Sequence, residues 1–253
     1  MPGEEPRYAK DASESGAREA GPSQKADAAN GVVVLLSGGL DSATTLHLAL
    51  AKEYLVHAIS FDYGQRHRIE LESARRIAAS AGVEHHVLSV DTSLFQNSAL
   101  TDVSMQMPED RDESAMSSEI PVTYVPGRNI LFLSFAVSYC ESRGFSRIFI
   151  GANAVDYSGY PDCRPDFIGA FQHMVELGTK AGVEGKPIHI ETPLIDLKKS
   201  EIIALGMKLG VDYSLTSSCY QPDAKGKPCG RCDSCRLRAL GFQEAGYIDP
   251  LTA

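Results

Sequence analysis

The sequence predicts an α/β protein: a mainly parallel, five-stranded sheet with helices on both faces, followed by a small C-terminal metal-binding region. Three observations predict it. Short β-branched apolar runs alternate with longer stretches of helical spacing, polar glycine-containing loops follow those runs, and four of six cysteines crowd into the last 35 residues. Strands alternating with helices of this length pair in parallel and present ligands at their C-terminal ends.

Residues 1–30 are rich in Ala, Gly, Ser, Pro, Glu and Lys with almost no large apolar side chains, which predicts a disordered extension. They carry acidic residues and no apolar core segment, so neither a secretory signal nor a transit peptide is expected. A first buried strand is predicted at Val32–Leu36, then a helix at Asp41–Glu53 and a second strand at Leu55–Phe61. A helix over Arg66–Ala81 stops at Gly82, and a third strand runs Glu84–Val90. The polar stretch Asp91–Thr123 is expected to be an insertion able to lid a site. Asn129–Ser142, apolar on nearly every side, is expected to be a buried helix. Strands at Arg147–Gly151 and Ile188–Thr192 and helices at Pro165–Lys180 and Lys198–Leu209 complete the pattern. Residues 31–212 thus form one nucleotide-scale α/β domain, and 213–253 the metal-binding region.

With 24 basic and 33 acidic residues the chain carries a net charge of −9, against the footprint of a general nucleic-acid binder. Anionic ligands must be held by loop amides, helix N-termini and a few placed cations, which points to a small-molecule enzyme. No apolar run approaches the roughly 18 residues that span a bilayer. Clustered cysteines without a disulfide framework suit the reducing cytoplasm.

The run Leu36-Ser37-Gly38-Gly39-Leu40-Asp41-Ser42 leaves the first strand and enters a helix. Two glycines let bare N–H groups approach an anion, the serines add hydroxyls, and the helix contributes its positive end. Neither the Walker lysine nor the dinucleotide G-x-G-x-x-G spacing is present. Asp41 is either a helix cap or a partner of Mg²⁺, which binds phosphates through one or two carboxylates. Ser-Gly-Gly-x-Asp-Ser resembles the signature of the ATP-pyrophosphatases, which cleave ATP between the α and β phosphates and transfer AMP.

Cys219, Cys229, Cys232 and Cys235 are spaced C-x9-C-x2-C-x2-C. Four thiolates fill a zinc tetrahedron, so Zn²⁺ here is expected to be structural; an iron–sulfur cluster could use the same ligands. Cys140 is expected in the core and Cys163 in a polar site loop. Arg66 and His67 open a helix, an odd place for cations unless an anion lies there. Asn129 could cap the next helix, with Arg128 turned outward or toward phosphate. Lys198 and Lys199 are placed to reach phosphate or solvent. The loop from Gly151 to Pro165 holds Asp156, Tyr157, Ser158, Tyr160, Asp162 and Arg164, suited to a flat polar heterocycle.

Taken together, LLSGGLDS, SFDYGQRH, YVPGRN, GANAVDYSGYPDCRP, TPL with KKSEI, and CGRCDSCRLRALGF resemble the 7-cyano-7-deazaguanine synthase family of queuosine biosynthesis. The matching runs extend from Leu35 to Phe242; residues 1–30 and the composition of Asp91–Thr123 do not match. The resemblance implies an adenine nucleotide alpha hydrolase-like fold and an ATP-dependent ligase making a nitrile from 7-carboxy-7-deazaguanine and ammonia. It implies ATP with Mg²⁺ on Leu36–Ser42 and Arg66, the deazaguanine on the Asp156–Arg164 run and Zn²⁺ on the four cysteines; a homodimer is expected, though no motif specifies it. Asp41, Arg128 and Lys198 are the expected catalytic residues. Arg128 is chosen because a guanidinium suits spread oxyanion charge. No glutaminase signature is present, so ammonia is expected free or from another chain. Two rivals are weighed. A tRNA-thiolating or amidating relative is disfavoured, because thiolation needs a reactive cysteine pair near the loop and the only C-x2-C pairs here belong to the cysteine cluster. The other is a non-catalytic zinc-knuckle module whose Arg231, Arg236 and Arg238 could contact phosphates.

Overall fold

The computed structural model describes residues 30–91, 97–111, 120–155 and 159–252. The extension expected over residues 1–30 therefore lies almost wholly outside the described residues. Five strands form one sheet: β1 (Gly31–Leu35), β2 (Leu55–Asp62), β3 (Glu84–Ser89), β4 (Arg147–Ile150) and β5 (His189–Glu191). Their order is β3-β2-β1-β4-β5 and every pairing is parallel. β1 is central, buried along its whole length, and must be apolar on both sides, as GVVVL is.

Its alternate side chains feed two cores. Val32 and Val34 pack against α1 (Leu40–Ala51), α2 (Ile69–Ala81) and α6 (Lys199–Lys208), while Val33 and Leu35 pack against α3 (Arg128–Arg143) and α4 (Pro165–Gly178). A one-turn helix α5 (Lys180–Val183) and the final helix α7 (Asp233–Ala245) complete the set. Ile202 and Ile203 of α6 are fully buried, each stabilising the fold by roughly 1.5–3 kcal/mol. Tyr213 and Phe242 belong to the same core, in an edge-to-face pair 5.5 Å apart, so residues 213–252 share the core of the sheet.

Some local expectations shift. α2 begins at Ile69, because the N–H of Arg66 donates to Leu100 and the chain there is a loop. α3 is only half buried: Leu133, Ala136, Val137 and Cys140 face the core, while Ile130, Phe135 and the serines 134 and 138 face outward. The described parts of the Asp91–Thr123 insertion pack on the cysteine region, with Ala99 and Met107 buried against it. No described helix is long and apolar enough to cross a membrane.

Candidate active site

Strand order reverses direction beside β1: the chain moves out to β2 and β3, then returns to place β4 on the other side. Ligands bind at such a switch point, beyond the strand C-terminal ends. A cavity of about 230 Å³ opens there, lined by the loop after β1, the ends of β2 and β4, α2, α3 and residues 217–220.

The loop after β1 is held by its own side chains. Ser42 Oγ accepts from Ser37 N–H and donates to the Gly39 carbonyl, and Gly39 N–H reaches Ser37 Oγ at 3.3 Å. Gly38 has φ +91°, and a Cβ there would stand 2.1 Å from the Glu70 carbonyl oxygen, so only glycine fits. The N-cap of α1 is Gly39, with no side-chain cap; Leu40 N–H goes to Ser218 Oγ, and the next amides, of Asp41 and Ser42, are left for an anion. Asp41 is therefore not a cap. Its carboxylate is held by Lys199 Nζ at 2.8 Å to each oxygen.

Of the two neighbouring lysines, the structure places Lys199 rather than the expected Lys198 at the loop. Lys198 is the exposed N-cap of α6, its N–H donating to Glu201; Lys199, one position on, turns inward and is buried. Arg66 is likewise drawn elsewhere. Its guanidinium donates to the carbonyls of Asp102 and Met105, pinning the insertion, and it does not line the cavity. Arg128 does. It opens α3, donates to the Tyr63 hydroxyl at 3.3 Å and lies over that ring. A cation at a helix N-terminus opposes the helix dipole and is tolerated where an anion answers it.

From the loop after β4, Tyr160 reaches the cavity, its hydroxyl 2.7 Å from Thr123. Asp162 does not: buried, it accepts from Asn129 N–H at 3.0 Å and so caps α3, the role expected of Asn129. Arg164 is exposed at the N-cap of α4, outside the cavity. Asp156, Tyr157 and Ser158 lie outside the described residues. Cys163 lines the cavity, but burial pushes its thiol up to about 11, which removes it as a nucleophile near neutral pH. Cys140 is a core thiol, as expected, raised to about 12 by burial.

Several cavity residues escaped the sequence reading. Ser217 N–H donates to the Gly38 carbonyl at 2.9 Å, and Ser218 Oγ accepts from Leu40 N–H at 3.4 Å, clasping the loop from the far end of the chain. Glu70, on the first turn of α2, also lines the cavity, and burial raises its carboxyl to about 7. Asn153, by contrast, belongs to the polar loop the sequence singles out, and is fixed by the carbonyls of Leu194 and Leu197. Ser217 and Ser218 had one available signal: they directly precede Cys219.

The four cysteine sulfurs lie within 4.8 Å of one another, with Cys229 and Cys235 3.9 Å apart. Sulfurs on a tetrahedral zinc at about 2.3 Å stand roughly 3.8 Å apart, so the spacing fits a metal. Backbone N–H groups of Tyr220, Gln221, Cys229, Arg231 and Cys232 all donate to these sulfurs, as thiolates require. Cys235 sits in the first turn of α7. Around the knot the arginines are already engaged: Arg231 with Glu109 and Asp110, Arg236 with Asp110, and buried Arg238 with Asp249. They are not a free phosphate-binding patch.

One wall of the cavity offers bare amides and a lysine-held carboxylate, the other aromatic rings beneath an arginine. Together they suit a polyphosphate beside a flat polar ring, and define a nucleotide-using α/β enzyme of the pyrophosphate-loop class. The chain belongs to the QueC family: the sequence model described as Queuosine biosynthesis protein QueC matches residues 31–246. It is 57% identical over 220 residues to the 7-cyano-7-deazaguanine synthase of Syntrophus aciditrophicus, covering 86% of this chain and 95% of that one. It is 58% identical over 220 residues to the enzyme of the same name from Thermosynechococcus vestitus, covering 87% and 94%. Among solved structures, NMN synthetase from Francisella tularensis is similar over 87% of this chain and 79% of that one, at 17% identity and TM-score 0.46.

Proposed function

We propose that this chain converts 7-carboxy-7-deazaguanine and ammonia to 7-cyano-7-deazaguanine at the expense of ATP, through two adenylated intermediates. The observation that carries the reading is the uncapped N-terminus of α1 opening into the same cavity as Arg128, Tyr63 and the Asp41 carboxylate, which Lys199 holds from behind. Amides of Gly38–Ser42 would hold the β- and γ-phosphates, leaving the α-phosphorus toward the cavity. Arg128 and Lys199 would stabilise charge as it spreads over the phosphate in the transition state. Rings of Tyr63 and Tyr160 would flank the deazaguanine, with Asp156, Tyr157 and Ser158 from the neighbouring loop.

The carboxylate oxygen attacks the α-phosphorus, pyrophosphate leaves, and an acyl-adenylate forms. Ammonia adds to the acyl carbon, and AMP departs with that oxygen, giving the amide. The amide oxygen then attacks the α-phosphorus of a second ATP, and pyrophosphate and one N–H proton leave, giving the O-adenylated imidate. Loss of its remaining N–H proton and of AMP leaves the nitrile. Both carboxylate oxygens therefore end on AMP.

Magnesium, when bound, neutralises the phosphates, and Asp41 would hold it. Zinc on Cys219, Cys229, Cys232 and Cys235 would be structural, since four thiolates leave no open position. The reading includes the cytoplasm and a homodimer, for which the exposed Ile130 and Phe135 offer apolar surface; light scattering at micromolar concentration checks the dimer. Incubation of the full chain with the ¹⁸O-labelled acid, ammonium and Mg-ATP is the decisive assay. Nitrile and labelled AMP are expected; nitrile absent, or AMP unlabelled, overturns the reaction as written.

A further inference from the structure

We propose that Glu70 is the general base that takes protons from nitrogen during amide and nitrile formation. This inference rests on the reaction above and names a residue for a task that reaction leaves open. Addition of ammonia to the acyl-adenylate carbon gives a tetrahedral adduct bearing –NH₃⁺. The adduct must lose an N–H proton before the C–O bond to AMP breaks, or nitrogen is the better leaving group. A carboxylate that accepts this proton becomes the neutral acid, and it is reset by release to solvent as AMP departs. In the second stage the same group accepts the N–H proton of the adenylated amide. The C–N electron pair then forms the third bond of the nitrile, and the C–O bond to AMP breaks.

Geometry singles out Glu70. The first turn of α2 stands hard against the pyrophosphate loop, with the Glu70 carbonyl 2.1 Å from where a Gly38 side chain would begin. The backbone at Glu70 is therefore fixed relative to the phosphate-binding amides. Its side chain lines the cavity together with Arg128 and Tyr63. Among the described residues the Glu70 carboxylate makes no hydrogen bond and no ion pair, so its lone pairs are available to a ligand. Glu70 is half-buried, and leaving a partly desolvated carboxylate unpaired is costly, so a cavity that retains one has a use for it.

Other cavity groups are poorly suited. No histidine lines it. Asp41 is paired with Lys199 through both oxygens and is the carboxylate that would hold magnesium. Cys163 and the two tyrosines Tyr63 and Tyr160 are pushed upward by burial. Burial also raises Glu70, to about 7, with Arg128 pulling it back toward the ionised form. A base near neutrality is the one best matched to proton transfer at physiological pH.

The test separates the chemical stages. Adenylation needs no proton acceptor, so Glu70→Gln should retain exchange of labelled pyrophosphate into ATP, dependent on the acid, within about threefold of wild type. Amide formation in the same protein should fall by about 10²–10³-fold. Glu70→Asp, which keeps a carboxylate on a shorter stem, should lie between and guards against misfolding of the first variant. Glu70→Gln forming amide at the wild-type rate overturns the proposal. So does loss of exchange and amide formation together in a variant that melts like wild type, which would mean a role in binding. A wild-type chain that makes no nitrile from this acid sinks the reaction itself, and the proposal with it.

Discussion

The cysteine knot and the pyrophosphate-loop cavity lie side by side, and they are built on opposite plans. The four cysteines of the knot come from seventeen consecutive positions, Cys219 to Cys235, and their partners are mostly backbone N–H groups of the same stretch. The cavity collects residues from β1, α1, β2, α2, α3, β4, α7 and the segment around Cys219, and no two of its charged groups are sequence neighbours. One region is a local covalent-scale device; the other exists only once the whole sheet has formed. They are joined at Ser217 and Ser218, which lead directly into Cys219 and hold the backbone of Gly38 and Leu40. A knot that serves only stability would still set the shape of the loop through those two serines.

The largest effect should come from breaking the knot. Cys232→Ser removes a fully buried sulfur, and bound metal should fall from about one equivalent to near zero by mass spectrometry. A loss of about 4 kcal/mol is expected, lowering Tm by roughly 10 °C. Because the serine clasp follows the knot, KM for ATP should rise in the same variant. Unchanged metal content would remove the knot from the comparison altogether.

Next comes the contrast between adjacent lysines. Lys199→Met strips Asp41 of its cation and should cut kcat/KM for ATP by about 100-fold, a loss of about 2.7 kcal/mol. Lys199→Arg should recover part of it. Lys198→Met should change little, because its side chain is exposed at the N-cap. Equal losses in the two methionine variants, measured by steady-state kinetics, would break the assignment.

How much of each region was legible follows from the same difference in plan. Spacing alone named all four cysteines, since metal geometry is written into a short stretch. The loop after β1 was equally readable, because two glycines between a strand and a helix are a local backbone requirement. Lys199 was not separable from Lys198, as one residue of helical rotation decides which points inward. Arg66 misled because a cation opening a helix was expected to meet a ligand, whereas the insertion supplies carbonyls from residues 36 and 39 positions away. Asp162 misled in the converse way: an acid in a polar loop serves the helix end beside it. Glu70 carried no signal at all, being one more acid on an exposed-looking helix until the fold set it against Gly38.

The smallest expected effect is also the one with a sign opposite to the rest. Burial raises the Glu70 carboxyl from an ordinary 4.5 to about 7, with Arg128 opposing the shift. The folded chain therefore holds this proton more tightly than the unfolded chain does. Its contribution to stability is fully present below about pH 4.5 and is lost as the pH rises to about 7. Glu70→Gln, neutral at every pH, escapes that loss. At pH 8 the variant should melt a few degrees higher than wild type, on the order of 1 kcal/mol once solvent at the cavity mouth is allowed for. At pH 5 the two should nearly coincide. Melting curves at both pH values decide it: a variant less stable than wild type at pH 8 would mean the carboxylate has a partner that holds the fold. A gain there, beside the loss of amide formation, would mark Glu70 as a group kept for chemistry at the cost of stability, the reverse of what the cysteines do.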